Sequence, residues 1–93
     1  LGVGSDSNVE INAAGELRLL EYGQRLKHRG RNLLASREGL STGEALYRAA
    51  LAGGAQALNQ PVGALAPGRR ADIVTLDLAH PAFAGARPES WLD

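Results

Sequence analysis

The chain opens on an apolar run broken by glycines, Leu1-Gly-Val-Gly4, and turns polar at Ser5-Asp-Ser-Asn8. That pattern predicts a buried strand whose last residues emerge into a polar pocket. Alternation along a strand places Gly2, Gly4 and Asp6 on one side and Leu1, Val3 and Ser5 on the other. Glycine next to a carboxylate leaves room for an ion, a water or a substrate beside Asp6. The local pattern by itself favours a plainer reading, in which Asp6 caps a turn and Ser7 and Asn8 are ordinary loop residues.

After the connector Val9-Glu-Ile-Asn12 the period becomes helical, from about Ala13 to Ala35. Leu17, Leu20 and Gln24 form one series at spacings of three and four. Leu19, Tyr22, Leu26 and Leu33 form another. Glu16 and Glu21 lie early; Arg25, Lys27, His28, Arg29 and Arg31 crowd the second half, a sign order that suits the helix macrodipole. Gly23 and Gly30 weaken the helix and mark close packing or a break near Gly30. The Arg-rich run reads as a solvated face before it reads as an anion site, since no aromatic is interleaved with it. Ser41-Thr-Gly-Glu44 is a capping box, so a second helix runs from about Thr42 to Leu58. Leu46, Ala50, Gly53, Gly54 and Ala57 lie close to one stripe whose small residues predict tight packing. Asn59-Gln60-Pro61 stops that helix.

Downstream, Val62 to Leu65 reads as a short strand or connector, and Ala66-Pro-Gly68 as a type II turn. Ala71-Asp-Ile-Val-Thr-Leu-Asp77 is the clearest strand signal in the chain. Asp72 and Asp77 sit five apart at its two ends, on opposite faces, which suits strand ends better than a catalytic pair. His80 stands alone in a loop before an irregular tail, without the partners a metal site needs.

Composition narrows the classes. Ninety-three residues with 44% hydrophobic content and a net charge of zero describe a small folded segment with a modest core. Zero net charge offers nothing to nucleic acid or an anionic membrane. The absence of cysteine excludes disulfides and thiolate metal sites, and is compatible with the cytoplasm. No apolar run approaches the ~20 residues of a membrane span. Four aromatics are few for an independent core. With an opening strand and no initiating Met, this predicts a piece of a larger protein.

Two stretches carry a resemblance. Gly43-Glu-Ala-Leu-Tyr-Arg-Ala-Ala-Leu-Ala-Gly-Gly-Ala-Gln-Ala-Leu58, followed by Val62-Gly-Ala-Leu-Ala-Pro-Gly-Arg-Arg-Ala-Asp-Ile-Val-Thr-Leu-Asp77, resembles the C-terminal part of the amidohydrolase superfamily. There a helix ending in Ala-x-Ala-Leu precedes Gly-x-Leu-x-Pro-Gly-x-x-Ala-Asp-hydrophobic-Asp. Gly4-Ser-Asp-Ser-Asn8, Glu16-Leu-Arg-Leu-Leu-Glu-Tyr-Gly-Gln-Arg-Leu26 and Arg31-Asn-Leu-Leu34 narrow it to the N-formimino-L-glutamate deiminase family. Members of that family often carry His where Asn8 stands.

The resemblance implies an α/β architecture, the C-terminal fragment of a (β/α)₈ TIM barrel, with the fragment itself mostly helical. Residues 1–60 would hold the last barrel strand and its following helices. Residues 61–93 would begin the return into a small composite β-sandwich domain. Asp6 would end the eighth strand, where barrel enzymes place their chemistry. In the family that aspartate binds a divalent metal, usually zinc, and takes a proton from the metal-bound water. Ser7 and Asn8 would line the pocket rim and hydrogen-bond substrate.

The implied reaction is hydrolysis of N-formimino-L-glutamate to N-formyl-L-glutamate and ammonia, in histidine degradation. The implied partners are a small-molecule substrate, the rest of the parent chain and, as an open option, a second copy in a homodimer. The family's His-x-His and its other metal histidine are absent here, and one carboxylate does not hold a catalytic zinc. The fragment alone is therefore expected to be inactive. Two other readings stay open: an amidohydrolase deaminase acting on a purine, pyrimidine or triazine ring, and a non-catalytic helical interaction module docking through the Arg25–Arg31 face.

Overall fold

The computed structural model describes residues 1–7, 10–35 and 39–92. Two α-helices dominate it: α1, Ala13–His28, and α2, Thr42–Leu58. Two short 3₁₀ turns follow, Pro81–Phe83 and Pro88–Ser90.

α1 starts where Asn12, in extended conformation, accepts from the backbone N–H groups of Ala14 and Gly15 at 3.0 and 3.3 Å. That satisfies two of the helix's orphan donors. Glu16 in the first turn and Arg25, Lys27 and His28 in the last complement the dipole. The helix ends earlier than its apolar period does. Arg29 adopts a left-handed conformation (φ 52°) just before Gly30, and residues 31–35 fold into turns rather than a further helical turn. Asn32 is also left-handed (φ 52°), and its backbone C=O accepts from Ala35 N–H at 3.3 Å.

α2 begins on the predicted cap, with Ser41 Oγ accepting from Glu44 N–H at 3.1 Å. It ends in a Schellman arrangement around left-handed Asn59. Asn59 N–H donates to Gln56 C=O and Gln60 N–H to Ala55 C=O, at 3.1 and 3.2 Å. Pro61 then excludes further helix. The Ala66–Arg69 turn closes with Arg69 N–H on Ala66 C=O at 3.1 Å, and Gly68 takes φ 79°, the type II geometry read from Pro67-Gly68.

The predicted strands do not form among the described residues. Leu1–Ser5 and Ala71–Asp77 are irregular, and Ile73, Val74 and Leu76 are exposed. A strand needs a neighbouring strand to satisfy its alternate N–H and C=O groups, and no described segment pairs with either stretch in a ladder. Asp72 accepts instead from Arg70 Nε at 2.8 Å, and Asp77 Oδ1 from Ala79 N–H at 3.0 Å. Both carboxylates are thus held locally at the ends of the segment.

α1 and α2 pack together, with Leu17 and Leu46 as the buried apolar residues. Leu17 belongs to the first apolar series of α1. The second series, Leu19, Tyr22, Leu26 and Leu33, faces outward. The exposed surface is 7563 Å², against about 5,100 Å² for a compact monomer of this mass.

Leu1 crosses α2 at Gly53, where a Cβ would overlap the Leu1 carbonyl, so the small-residue stripe serves a backbone crossing. Gly54, one residue on, has open space where its Cβ would point. In the full-length protein Gly53→Ala is expected to destabilise by about 1–3 kcal/mol through overpacking. Gly54→Ala is expected to be neutral or to stabilise by about 0.5–1 kcal/mol through helix propensity. Urea unfolding of the two variants reads the contrast.

Candidate functional site

The segment carrying Asp6 lies between the two helices. Leu1 rests on α2 at Gly53, and Val3, Gly4 and Ser5 line a cleft of about 210 Å³ against Ile11, Asn12 and the first turn of α1. Gly4 has open space on its Cβ side. Strand alternation, however, does not run through Asp6. Asp6 takes φ 41° and begins a turn with Ser7, and both are exposed. Aspartate tolerates the left-handed region because its short polar side chain bonds locally. The turn reading of Asp6 is therefore the local geometry. Asn8 falls outside the described residues.

The donor set here does not hold a metal by itself. Among the described residues no group of three or more His, Cys, Asp or Glu side chains converges, whereas a catalytic zinc takes about three protein ligands. Asp6 contributes at most one. His28 is exposed in the last turn of α1. His80 Nδ1 accepts from Ala82 N–H at 3.2 Å and caps the first 3₁₀ turn.

The basic run is not one uniform face. Arg25 turns back along the helix: its Nε donates to Glu21 Oε1 at 2.7 Å, an Nη donates to Asn32 Oδ1 at 3.1 Å, and the guanidinium lies 5.4 Å from the Tyr22 ring centre. Lys27, His28, Arg29 and Arg31 stay exposed. A second cleft of about 430 Å³ separates α2 from the Val62–Ala64 segment, with Arg48 and Arg69 at its margin. Both guanidiniums have partners, Arg48 on Glu44 at 2.6 Å and Arg69 on Val62 C=O at 3.0 Å.

Glu21 is the residue whose weight the sequence pattern concealed. It is 3% exposed. Besides Arg25 it accepts from Leu33 N–H at 3.1 Å and Leu34 N–H at 3.0 Å, tying the 31–35 turn to α1. The i,i+4 spacing to Arg25 is legible in the sequence; the two amides twelve and thirteen residues on are not. Burial alone would raise this carboxyl, but the Arg25 and backbone hydrogen bonds outweigh it and hold it below its ordinary value of 4.5.

With the fold and this segment in view, the chain belongs to the amidohydrolase family, which matches residues 1–92. It is similar to the formimidoylglutamate deiminase of Pseudomonas aeruginosa, with 54% identity over 93 residues. That match covers 100% of this chain and 20% of the relative, so the chain spans about a fifth of the length of the curated relative it matches.

A carboxylate lowered in the folded state contributes stability above its unfolded value, and that contribution disappears as pH falls through the lower folded value. Glu21→Gln is accordingly expected to destabilise the full-length protein by about 1–3 kcal/mol at neutral pH. The gap from wild type should narrow as pH drops below 4.5. Unfolding curves at pH 7 and at successively lower pH read both.

Proposed function

We propose that this chain is the C-terminal part of a formimidoylglutamate deiminase that hydrolyses N-formimino-L-glutamate to N-formyl-L-glutamate and ammonia. The observation that carries the reading is the 54% identity over all 93 residues. In the whole enzyme, residues 1–60 supply the last barrel strand and following helices, and residues 61–93 begin the return into the small β-sandwich domain. Two features support this placement. Ile73 and Val74 are exposed on a segment of strong strand propensity, and the total surface exceeds that of a compact monomer by some 2,400 Å², room for contact with the rest of the parent chain.

Asp6 is the reacting carboxylate. It stands on an exposed turn at the end of the apolar segment, where it accepts a proton from the attacking water as a C–O bond forms at the formimino carbon. The tetrahedral intermediate then collapses. The intermediate's hydroxyl proton and the proton held on Asp6 both pass to the terminal nitrogen, the C–O bond becomes C=O as the C–N bond breaks, and ammonia leaves. Ser7 and Asn8 hold substrate at the rim. Asp6 would be one ligand of the divalent metal the family uses, usually zinc, which would supply an acidified water; no further ligand cluster converges among the described residues. The enzyme acts in the cytoplasm, in histidine degradation.

In the full-length protein Asp6→Asn is expected to lower kcat by orders of magnitude with the unfolding transition unchanged, in an ammonia-release assay on N-formimino-L-glutamate. Activity within a few-fold of wild type sinks the assignment. Faster ammonia release from guanine moves the enzyme to the ring deaminases. Asp72→Asn is expected to leave kcat unchanged and shift stability by less than about 1 kcal/mol, because its ion pair with Arg70 is exposed. Residues 1–93 alone, loaded with zinc, are expected to release no ammonia.

A further inference from the structure

The Asp6 segment has two supports, and they belong to different helices. Leu1 sits on α2 at Gly53, and Val3–Ser5 lie along the first turn of α1. The path leading into Asp6 therefore follows the relative placement of α1 and α2. The chain between the helices turns back at Arg29 and reaches the α2 cap at Ser41. Within it, Leu33 and Leu34 donate their amides to the buried Glu21 carboxylate, and Asn32 accepts from Arg25, the partner of that same carboxylate. Leu17 and Leu46 are the buried apolar residues at hand, so little apolar burial shares the task.

We propose that Glu21 is a positioning residue for the reaction: by clamping the 31–35 turn to α1 it sets α2 against α1, and so fixes where the Leu1–Ser5 segment presents Asp6. This rests on Asp6 being the reacting carboxylate. Glu21 touches neither substrate nor Asp6; it acts through two backbone amides, Arg25 and the Gly53 crossing. Misplacement of a reacting group by about 1 Å costs up to a hundredfold in rate.

The test uses the full-length enzyme with Glu21→Leu and Glu21→Gln, assayed well below their unfolding temperatures and normalised to folded protein. Leucine removes the acceptors; glutamine keeps one acceptor oxygen. For Glu21→Leu, kcat is expected to fall roughly ten- to hundredfold with KM changed less than about twofold. Glutamine should recover part of the loss. Amide hydrogen exchange is expected to rise in residues 1–12 as well as in 31–35, which a local stabilising role would not produce. Wild-type kcat per folded molecule, or faster exchange confined to 31–35, overturns the positioning role. If the leucine variant does not fold, the glutamine variant decides by the same two readouts.

Asp6→Asn run in parallel separates the two ideas. An inactive Asp6→Asn beside wild-type-like Glu21 variants removes only the positioning role. An active Asp6→Asn removes the assignment of Asp6, and with it the reaction that Glu21 would serve.

Discussion

A buried carboxylate survives in this chain because three donors meet it. Glu21 accepts from the Arg25 guanidinium and from the amides of Leu33 and Leu34, all within 3.1 Å. Burying a charge without such partners is strongly unfavourable, and leaving the two part-buried amides unpaired adds to the penalty. Each group is thus tolerable only with the others. The consequence is topological. A helix that stops at His28 turns back on itself instead of running on, and its sequel is fastened to the face it has just left. With Leu17 and Leu46 the buried apolar side chains among the described residues, that polar fastening carries a larger share of the organisation than it would in a full core.

The shortage of buried apolar surface and the family membership describe the same situation. An amidohydrolase segment about a fifth as long as its curated relative retains helices, whose hydrogen bonds are local. Its strand-forming stretches stay unpaired, because a strand's partners come from elsewhere in a chain. Leu1–Ser5 illustrates the intermediate case. Without a ladder it still has a defined course, because Gly53 lets its backbone lie against α2.

The helices, their caps and the Pro67-Gly68 turn were legible because each depends on residues within a few positions of one another. Ser41 and Glu44 lie three apart, and Asn12 stands immediately before the periodic run with Glu16 behind it. The early end of α1 was half legible: Gly30 marked a break, but the apolar period through Leu33 argued for continuation. Which apolar series faces inward was not legible, since Leu17 and Leu19 belong to equally regular patterns and only α2 chooses between them. In the sequence Glu21 counted only as an early acid suited to the helix dipole. For Asp6 the local pattern favoured a turn over the strand end that alternation suggests, and the left-handed turn is what the backbone adopts.

The sequence by itself determined the local elements, the family and the segment where the proposed chemistry lies, because capping, turn geometry and short motifs act at short range. The tertiary structure alone decided that Glu21 gathers Leu33 and Leu34, that Leu1 crosses α2 at Gly53, and that Leu17 rather than Leu19 is covered. Those are contacts between residues far apart along the chain. Their formation depends on loop closure and on competition for a small buried volume, neither of which is written in any single stretch of residues.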